Sequence, residues 1–573
     1  MTNEKRLYQF WLEKTAGDDA AQKDLAAIAD NEKEISDRFY RDLAFGTAGL
    51  RGIMGMGLNR MNNYTVGRAT IGLAEYLKGQ GIEKPSVAIA YDSRLCSEQF
   101  ARHAAGVLAG AGVCAHIFGE LMPTPVLSYA VRKLGCDAGI NITASHNPFE
   151  YNGFKAYDSS GCQIGSDVAD AVQKAISRTD IFDGVRAMSF ENAVDSGMVK
   201  IIPESFVEQY LDCVFEQALQ PEICAGADLK VVFTPLNGAG NKCVRAIFER
   251  LGIKGVHIVP EQENPDGNFP TCPYPNPETR EALELGLALA KQKDSDLLIA
   301  TDPDADRLGV AVKDGDGYRV LTGNEVGLLL LSYICSTRNK IGKMPPEPVA
   351  VRSVVSTRMA DILAAHYGVE MHVVLTGFKF IGEIIAGLER DGKAENFIFG
   401  FEESCGYLSG GYVRDKDAIN AALLVAELAC ECKTAGKTLI GLLDEMYAKF
   451  GVWISVVDNL MFQGESGMEQ MSGIMESLRS TPPKDIAGDS VSEMRDYGLG
   501  VIVSGGVRKQ ANLPKTEMIE LCLGENSVIV RPSGTEPKLK IYYTITGQGQ
   551  GETQQKTADY RMACSKLVEV AKG

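Results

Sequence analysis

Four times along the chain a short apolar run stops in a polar, turn-rich loop. Ala138-Gly139-Ile140-Asn141-Ile142 runs into Thr143-Ala144-Ser145-His146-Asn147-Pro148, and Leu297-Leu298-Ile299-Ala300 into Asp302-Pro303-Asp304-Ala305-Asp306-Arg307. Asn396-Phe397-Ile398-Phe399 leads to Gly400-Phe401-Glu402-Glu403-Ser404, and Val528-Ile529-Val530 to Arg531-Pro532-Ser533-Gly534-Thr535-Glu536-Pro537. Apolar runs of this length, bounded by turn residues, read as buried strands. In α/β folds ligands gather beyond the carboxyl ends of strands. The spacing predicts four domains, each delivering one loop to a common cleft.

Between these runs the pattern alternates. The first 40 or so residues carry apolar positions at helical spacing among charges. Strands are predicted over 86–90, 113–118 and 229–233, and helices over 97–111, 125–135, 165–177, 241–251 and 278–292, a βαβ rhythm. The segment 264–278 is a loop rich in Pro, Asn and Gly. From about 452 the texture changes to strands near 452–457, 500–503, 516–522 and 527–531. The expected fold is α/β, with four domains around a central cleft. The first three are doubly wound mixed α/β sheets over 1–202, 203–320 and 321–451, and the fourth, 452–573, is a smaller α+β domain.

Composition narrows the function. The 573 residues are 45% hydrophobic and 23% charged, ordinary for a globular chain. A net charge of -17 argues against nucleic acid or an anionic membrane as partner. It leaves room for a phosphorylated small molecule, which needs only local positive charge. No secretory leader is visible, and the most apolar run, 326–335, is shorter than the ~20 residues of a membrane span. A cytoplasmic protein is expected. The fourteen cysteines are scattered; only Cys430 and Cys432 lie close together, with no second pair at zinc spacing, so reduced thiols are expected. Gly436-Lys437-Thr438 is no Walker A loop, because Glu431 stands where its first glycine belongs.

Candidate chemistry sits in the four loops. Ser145 is the candidate nucleophile, with His146 or Lys155 as proton partner. Asp302, Asp304 and Asp306 alternate, so in an extended loop they can converge on one hard cation such as Mg²⁺. An EF-hand is excluded, since Arg307 and Lys313 occupy the positions of its glycine and glutamate. Arg51, in Phe45-Gly46-Thr47-Ala48-Gly49-Leu50-Arg51-Gly52, is a fork-shaped cation suited to phosphate. Glu402 and Glu403 with Ser404 offer acceptors to hydroxyls. Arg531, Ser533, Gly534 and Thr535 form a phosphate cradle. Lys379, Arg414 and Lys416 are further cations.

Taken together, in this order and at these separations, the loops resemble those of the α-D-phosphohexomutase superfamily, over nearly the whole chain. The resemblance implies a phosphorylated Ser145 and Mg²⁺ held by Asp302, Asp304, Asp306 and an oxygen of the phosphoserine. It implies Arg51 and Lys155 near that phosphoserine, Glu402 and Ser404 orienting the sugar, and Arg531, Ser533, Gly534 and Thr535 on the non-reacting phosphate. Arg307, Arg414 and Lys416 join the substrate-binding set, and Lys379 the loop that distinguishes two substrate orientations. The implied activity is phosphoglucomutase, with glucose 1,6-bisphosphate as intermediate and activator. The stretches 147–155 and 400–407 resemble the branch of bacterial α-phosphoglucomutases and animal phosphopentomutases, and lack the extra glycines of other phosphoglucomutases. Phosphopentomutase therefore stays open, and the general base stays open between Lys155, which would need a pKa lowered by cations such as Arg51, and His146. A dehalogenase-type phosphatase and a sugar-phosphate sensor are the remaining alternatives; the first fails on the residues after Asp302 and Asp304.

Overall fold

The computed structural model describes residues 2–47, 49–462, 465–511, 515–532 and 538–572. They divide into two compact units, residues 1–351 with 377–438, and 352–376 with 439–573.

The first unit opens with a six-stranded sheet. Its strands are β1 (Leu50–Ile53), β2 (Ser86–Tyr91), β3 (Cys114–Phe118), β4 (Ala138–Ile142), β5 (Tyr151–Asp158) and β6 (Val199–Ile202), in the order β1-β5-β4-β2-β3-β6. From β4 to β6 the strands are parallel, and β5 and β1 are antiparallel additions. The reason lies in the connections: parallel neighbours need a crossover helix, whereas β4 returns as β5 through a short loop. Alternation settles the two faces. Ala138, Ile140 and Ile142 enter one core with the helices Asn63–Gly79, Ser97–Gly110 and Ser166–Arg178. Gly139 and Asn141 face the helix Thr124–Leu134, where Asn141 Nδ2 donates 2.7 Å to Thr124 Oγ1.

A second sheet repeats the plan. It comprises β7 (Lys230–Thr234), β8 (Gly255–Ile258), β9 (Leu297–Thr301), β10 (Leu308–Asp314) and β11 (Gly317–Leu321), ordered β11-β10-β9-β7-β8. Here β9, β7 and β8 are parallel, and β10 returns antiparallel to β9. The third region uses the same device, with Phe397–Glu402 antiparallel to Gly406–Leu408. Each of the first three polar loops is thus the short return between two antiparallel strands. The third departs from expectation in one respect. The strand continues through Glu402, because Phe399 and Phe401 are fully buried and stacked, ring centroids 5.8 Å apart.

The second unit carries an antiparallel sheet. Its strands lie in the spatial order Val452–Met461, Lys538–Gly547, Asn526–Pro532, Ile519–Leu523, Glu493–Asp496, Val501–Ser504 and Val507–Gln510. The helices Glu465–Ser480 and Gln550–Lys572 supply Ile474, Met475, Tyr560 and Cys564 to its core. Buried Glu520 accepts from Arg358 Nη2 at 2.6 Å and from Tyr497 at 3.0 Å, which ties the segment 352–376 to this sheet.

One titration follows from the packing of the first unit. Burial holds His103, on the helix Ser97–Gly110, below its usual pKa of 6.5. The folded chain therefore keeps it neutral while the unfolded chain takes up a proton. Its contribution to stability is whole above about pH 6.5 and is lost as pH falls below that. His103→Gln should flatten the decline in Tm between pH 7 and 5, read by calorimetry; an unchanged slope would assign that decline to other groups.

Candidate active site

The serine, aspartate and glutamate loops each turn on a non-glycine residue in the left-handed region: Ser145 (φ 52°), Ala305 (φ 51°) and Cys405 (φ 60°). Such a conformation costs about 1–2 kcal/mol for an L-residue, so surrounding contacts must hold it. Ser145 N–H donates 2.8 Å to Thr143 Oγ1, whose own hydroxyl donates 2.6 Å to buried Asp92. Gly49 lies against β5 at φ 75°, where a Cβ would come 1.7 Å from the Phe154 carbonyl. The glycine-rich segment before Arg51 therefore serves close approach to β5.

The hydroxyl of Ser145 donates 2.7 Å to Asp302 Oδ2 and lies 3.2 Å from His146 Nδ1. Asp302, Asp304 and Asp306 are buried, and one carboxylate oxygen from each falls within 4.8 Å of the others. The loop closes on itself: Asp302 Oδ1 accepts from the main-chain N–H of Asp306 (3.1 Å) and Arg307 (3.0 Å). Asp304 Oδ1 and Asp306 Oδ1 are buried without a hydrogen-bond partner. Burial, and then the charge of Asp306, push the Asp302 pKa up. Converging carboxylates with unused oxygens fit a hard divalent cation, which would relieve their repulsion.

Two lysines face the same carboxylates. Lys155, on β5, donates 2.6 Å to Asp304 Oδ2 and 3.4 Å to Asp306 Oδ2. Lys416 lies 3.2 Å from Asp306 Oδ2 and 2.9 Å from Asp415 Oδ1. The expectation that cations lower the Lys155 pKa is corrected here. Burial pulls it down, but Asp304 and Asp306 together outweigh burial and the net shift is upward. Burial, by contrast, holds His146 well below its usual value, helped by Arg307 and Arg51.

Arg51, exposed on β1, donates 3.1 Å to Asn147 Oδ1 in the serine loop. Arg307 is held by Glu278 (2.6 Å) and the Ser404 carbonyl (2.9 Å), which stitches the aspartate loop to the glutamate loop. Ser404 itself is half-buried. Buried Glu402 accepts 2.6 Å from Gly377 N–H and so fixes the turn before Lys379, whose pKa burial pulls down. Arg414 is corrected from substrate cation to structural clamp. It is fully buried, pairs with Glu389 at 2.6 Å and donates to the carbonyls of Gly411 and Val413. Arg531 lies half-buried next to the end of the strand Asn526–Pro532, whereas Ser533, Gly534 and Thr535 lie outside the described residues.

Sequence reasoning assigned no role to Thr124. Its hydroxyl donates 2.7 Å and its N–H 2.8 Å to Asp304, one to the carboxylate and one to the carbonyl. Thr124-Pro125 opens a helix after a strand, a signal that marks a cap but not its partner 180 residues away. Among the described residues, no helix is long and apolar enough to cross a membrane.

Models of three families match successive parts of the chain. They are described as phosphoglucomutase/phosphomannomutase alpha/beta/alpha domain I (residues 42–181), domain II (208–315) and domain III (322–450). The chain belongs to this family. It is a phosphohexomutase, an isomerase of the α-D-phosphohexomutase superfamily. A phosphoglucomutase of Staphylococcus aureus strain USA300 is 35% identical over 551 residues, 96% of this chain and 97% of that protein. One from a bovine strain is 36% identical over 526 residues, 91% and 93% of the two chains. The fold is shared with parafusin, a phosphoglucomutase from Paramecium (TM-score 0.69, 18% identity, 92% of this chain and 95% of that one). It is shared too with a phosphoglucomutase/phosphomannomutase family protein from Burkholderia thailandensis (TM-score 0.64, 20% identity, 91% and 97%). Three α/β domains with a fourth, β-rich one agree with the architecture expected from the sequence. The phosphatase and sensor readings fall with the family.

Proposed function

We propose that this phosphohexomutase interconverts α-D-glucose 1-phosphate and glucose 6-phosphate through a phosphoserine at Ser145. The observation that carries the reading is the Ser145 hydroxyl, held on a strained turn 2.7 Å from Asp302 within the carboxylate triad. The relatives named phosphoglucomutase supply the sugar.

In the forward direction O6 of the sugar attacks the phosphorus of phosphoserine 145. The P–Oγ bond breaks and a 1,6-bisphosphate forms, its O6 proton passing to a base. After the bisphosphate turns over, Ser145 Oγ attacks the C1 phosphate, the P–O1 bond breaks, and O1 regains a proton. The 3.2 Å from His146 Nδ1 to Oγ supports His146 as the proton partner of Ser145. Lys155, bound to Asp304 and Asp306, stays an ammonium and supplies charge. Asp302, Asp304 and Asp306 would hold Mg²⁺, which when bound neutralises charge on the transferring phosphoryl group. Glu402 and Ser404 orient the sugar. Arg307, Lys379 and Lys416 serve the substrate, and Arg531, Ser533, Gly534 and Thr535 the idle phosphate. Glucose 1,6-bisphosphate primes dephosphorylated enzyme. The partner is a small sugar phosphate, and the compartment the cytoplasm.

The deciding experiment compares kcat/KM for glucose 1-phosphate and ribose 1-phosphate, with Mg²⁺ and a trace of the matching bisphosphate. A ratio above about ten for glucose, roughly 1.4 kcal/mol of differential transition-state binding, is expected. A ratio inverted toward ribose would move the substrate to a pentose and leave every residue role in place.

A further inference from the structure

We propose that Arg94 is a positioning residue that aims Ser145, and that Phe269, from the 264–278 loop of the second α/β domain, holds Arg94 in place. The kinetic part of the proposal rests on the phosphoserine reading above; the geometric part does not. Arg94 follows β2 and is almost wholly buried. Its Nη2 donates to the carbonyls of Ser145 and Asn147, both at 2.5 Å, and its Nη1 to those of Pro148 and Tyr151, both at 2.9 Å. Four terminal N–H groups thus meet four carbonyls spanning the whole serine loop. Its Nε lies 3.5 Å from Asp92 Oδ2, the carboxylate that also anchors Thr143 and, through it, the Ser145 N–H. Both main-chain poles of the strained Ser145 are therefore fixed by one buried ion pair.

The flat face of the guanidinium is covered as well. Its carbon lies 5.1 Å from the ring centroid of Phe269, which is fully buried at φ 43°. Two residues earlier, a Cβ on Gly267 would come 2.4 Å from Leu95 N. The loop therefore presses on the backbone of Arg94 as well as on its side chain. With its terminal donors spent on carbonyls and its Nε buried beside Asp92, Arg94 has no accessible donor for a phosphate, and its role is geometric. A lysine keeps the charge but cannot bridge carbonyls along a loop from one nitrogen. A displacement of the reacting oxygen by about 1 Å costs on the order of 100-fold in rate.

The test uses the full chain carrying Arg94→Lys and, separately, Phe269→Leu, which changes no charge. Kinetics with glucose 1-phosphate and amide hydrogen exchange over 143–152 are read for both. Arg94→Lys should lower kcat by about 100-fold, with KM and the half-maximal Mg²⁺ concentration within threefold of the parent. Exchange should speed up at least tenfold in that loop and nowhere in β2 or β4. Phe269→Leu should show the same pattern at about a tenth of the size. A loss carried by KM would put Arg94 on the substrate and overturn the proposal, as would kcat and exchange both unchanged. If Arg94→Lys does not fold, Phe269→Leu decides by the same criteria. If the parent turns over no sugar phosphate, the functional reading falls alone and the exchange measurement still decides this one.

Discussion

Ser145→Ala folds as the parent does and loses at least about four orders of magnitude in turnover. The fold survives because what holds the loop belongs to the main chain. The Ser145 N–H still reaches Thr143 Oγ1, and its carbonyl still meets Arg94. Alanine has the same Cβ as serine, so the left-handed φ adds no new strain. What goes is the hydroxyl that donates to Asp302 Oδ2. Losing that donor costs about 1 kcal/mol of stability, a shift in Tm of a few degrees at most. Activity goes because the phosphoryl group has no oxygen to rest on between its two transfers. The check is a coupled assay for glucose 6-phosphate, with intact mass after exposure to glucose 1,6-bisphosphate: the parent gains one phosphate and the variant none. A variant that keeps turnover, or gains phosphate elsewhere, would remove Ser145 from the mechanism.

Asp306→Asn abolishes the response to Mg²⁺ and lowers kcat by about 10²–10³-fold. The parent should gain stability with Mg²⁺, by about 2.7 kcal/mol at a hundred times the dissociation constant. The reason is the mutual repulsion of three buried carboxylates, of which Asp304 Oδ1 and Asp306 Oδ1 have no hydrogen-bond partner. Asparagine keeps the shape of Asp306 and removes its charge, so the repulsion is relieved without a cation. Because Asp306 Oδ2 also pairs with Lys155 and Lys416, that relief is offset, and without metal the variant should melt within a few degrees of the parent. Its Tm should then stay flat as Mg²⁺ is added, where the parent's climbs. A variant that still climbs would place the cation at some other site. A parent that does not climb would leave Lys155, Lys416 and Arg307 to balance the triad.

Much of this was legible in the linear sequence, because the relevant signals are local. An apolar run that ends in Pro, Asn, Gly or Asp marks a strand and its exit whatever surrounds it, and Ile140–Ile142 and Leu297–Ala300 are strands of this kind. The alternation of Asp302, Asp304 and Asp306 points to convergence for the same reason. Their order along the chain, with Ser145 and Glu402, was enough to indicate the family.

Other features were settled only when distant segments met. Nothing near Lys155 in sequence predicts that Asp304 and Asp306, some 150 residues on, raise its pKa instead of leaving it a base. Arg414 looked like a free cation beside Lys416, and only folding brought Glu389 to it while sending Lys416 to Asp306. Thr124, Asp92 and Arg94 carry no motif, since hydrogen bonds to a loop far along the chain leave no periodicity to read. The sequence by itself determined which strands form and which loops are polar, because burial and turn chemistry act over a few residues. The tertiary structure alone decided which charges face one another, because electrostatic and hydrogen-bond partners are set by distance in space.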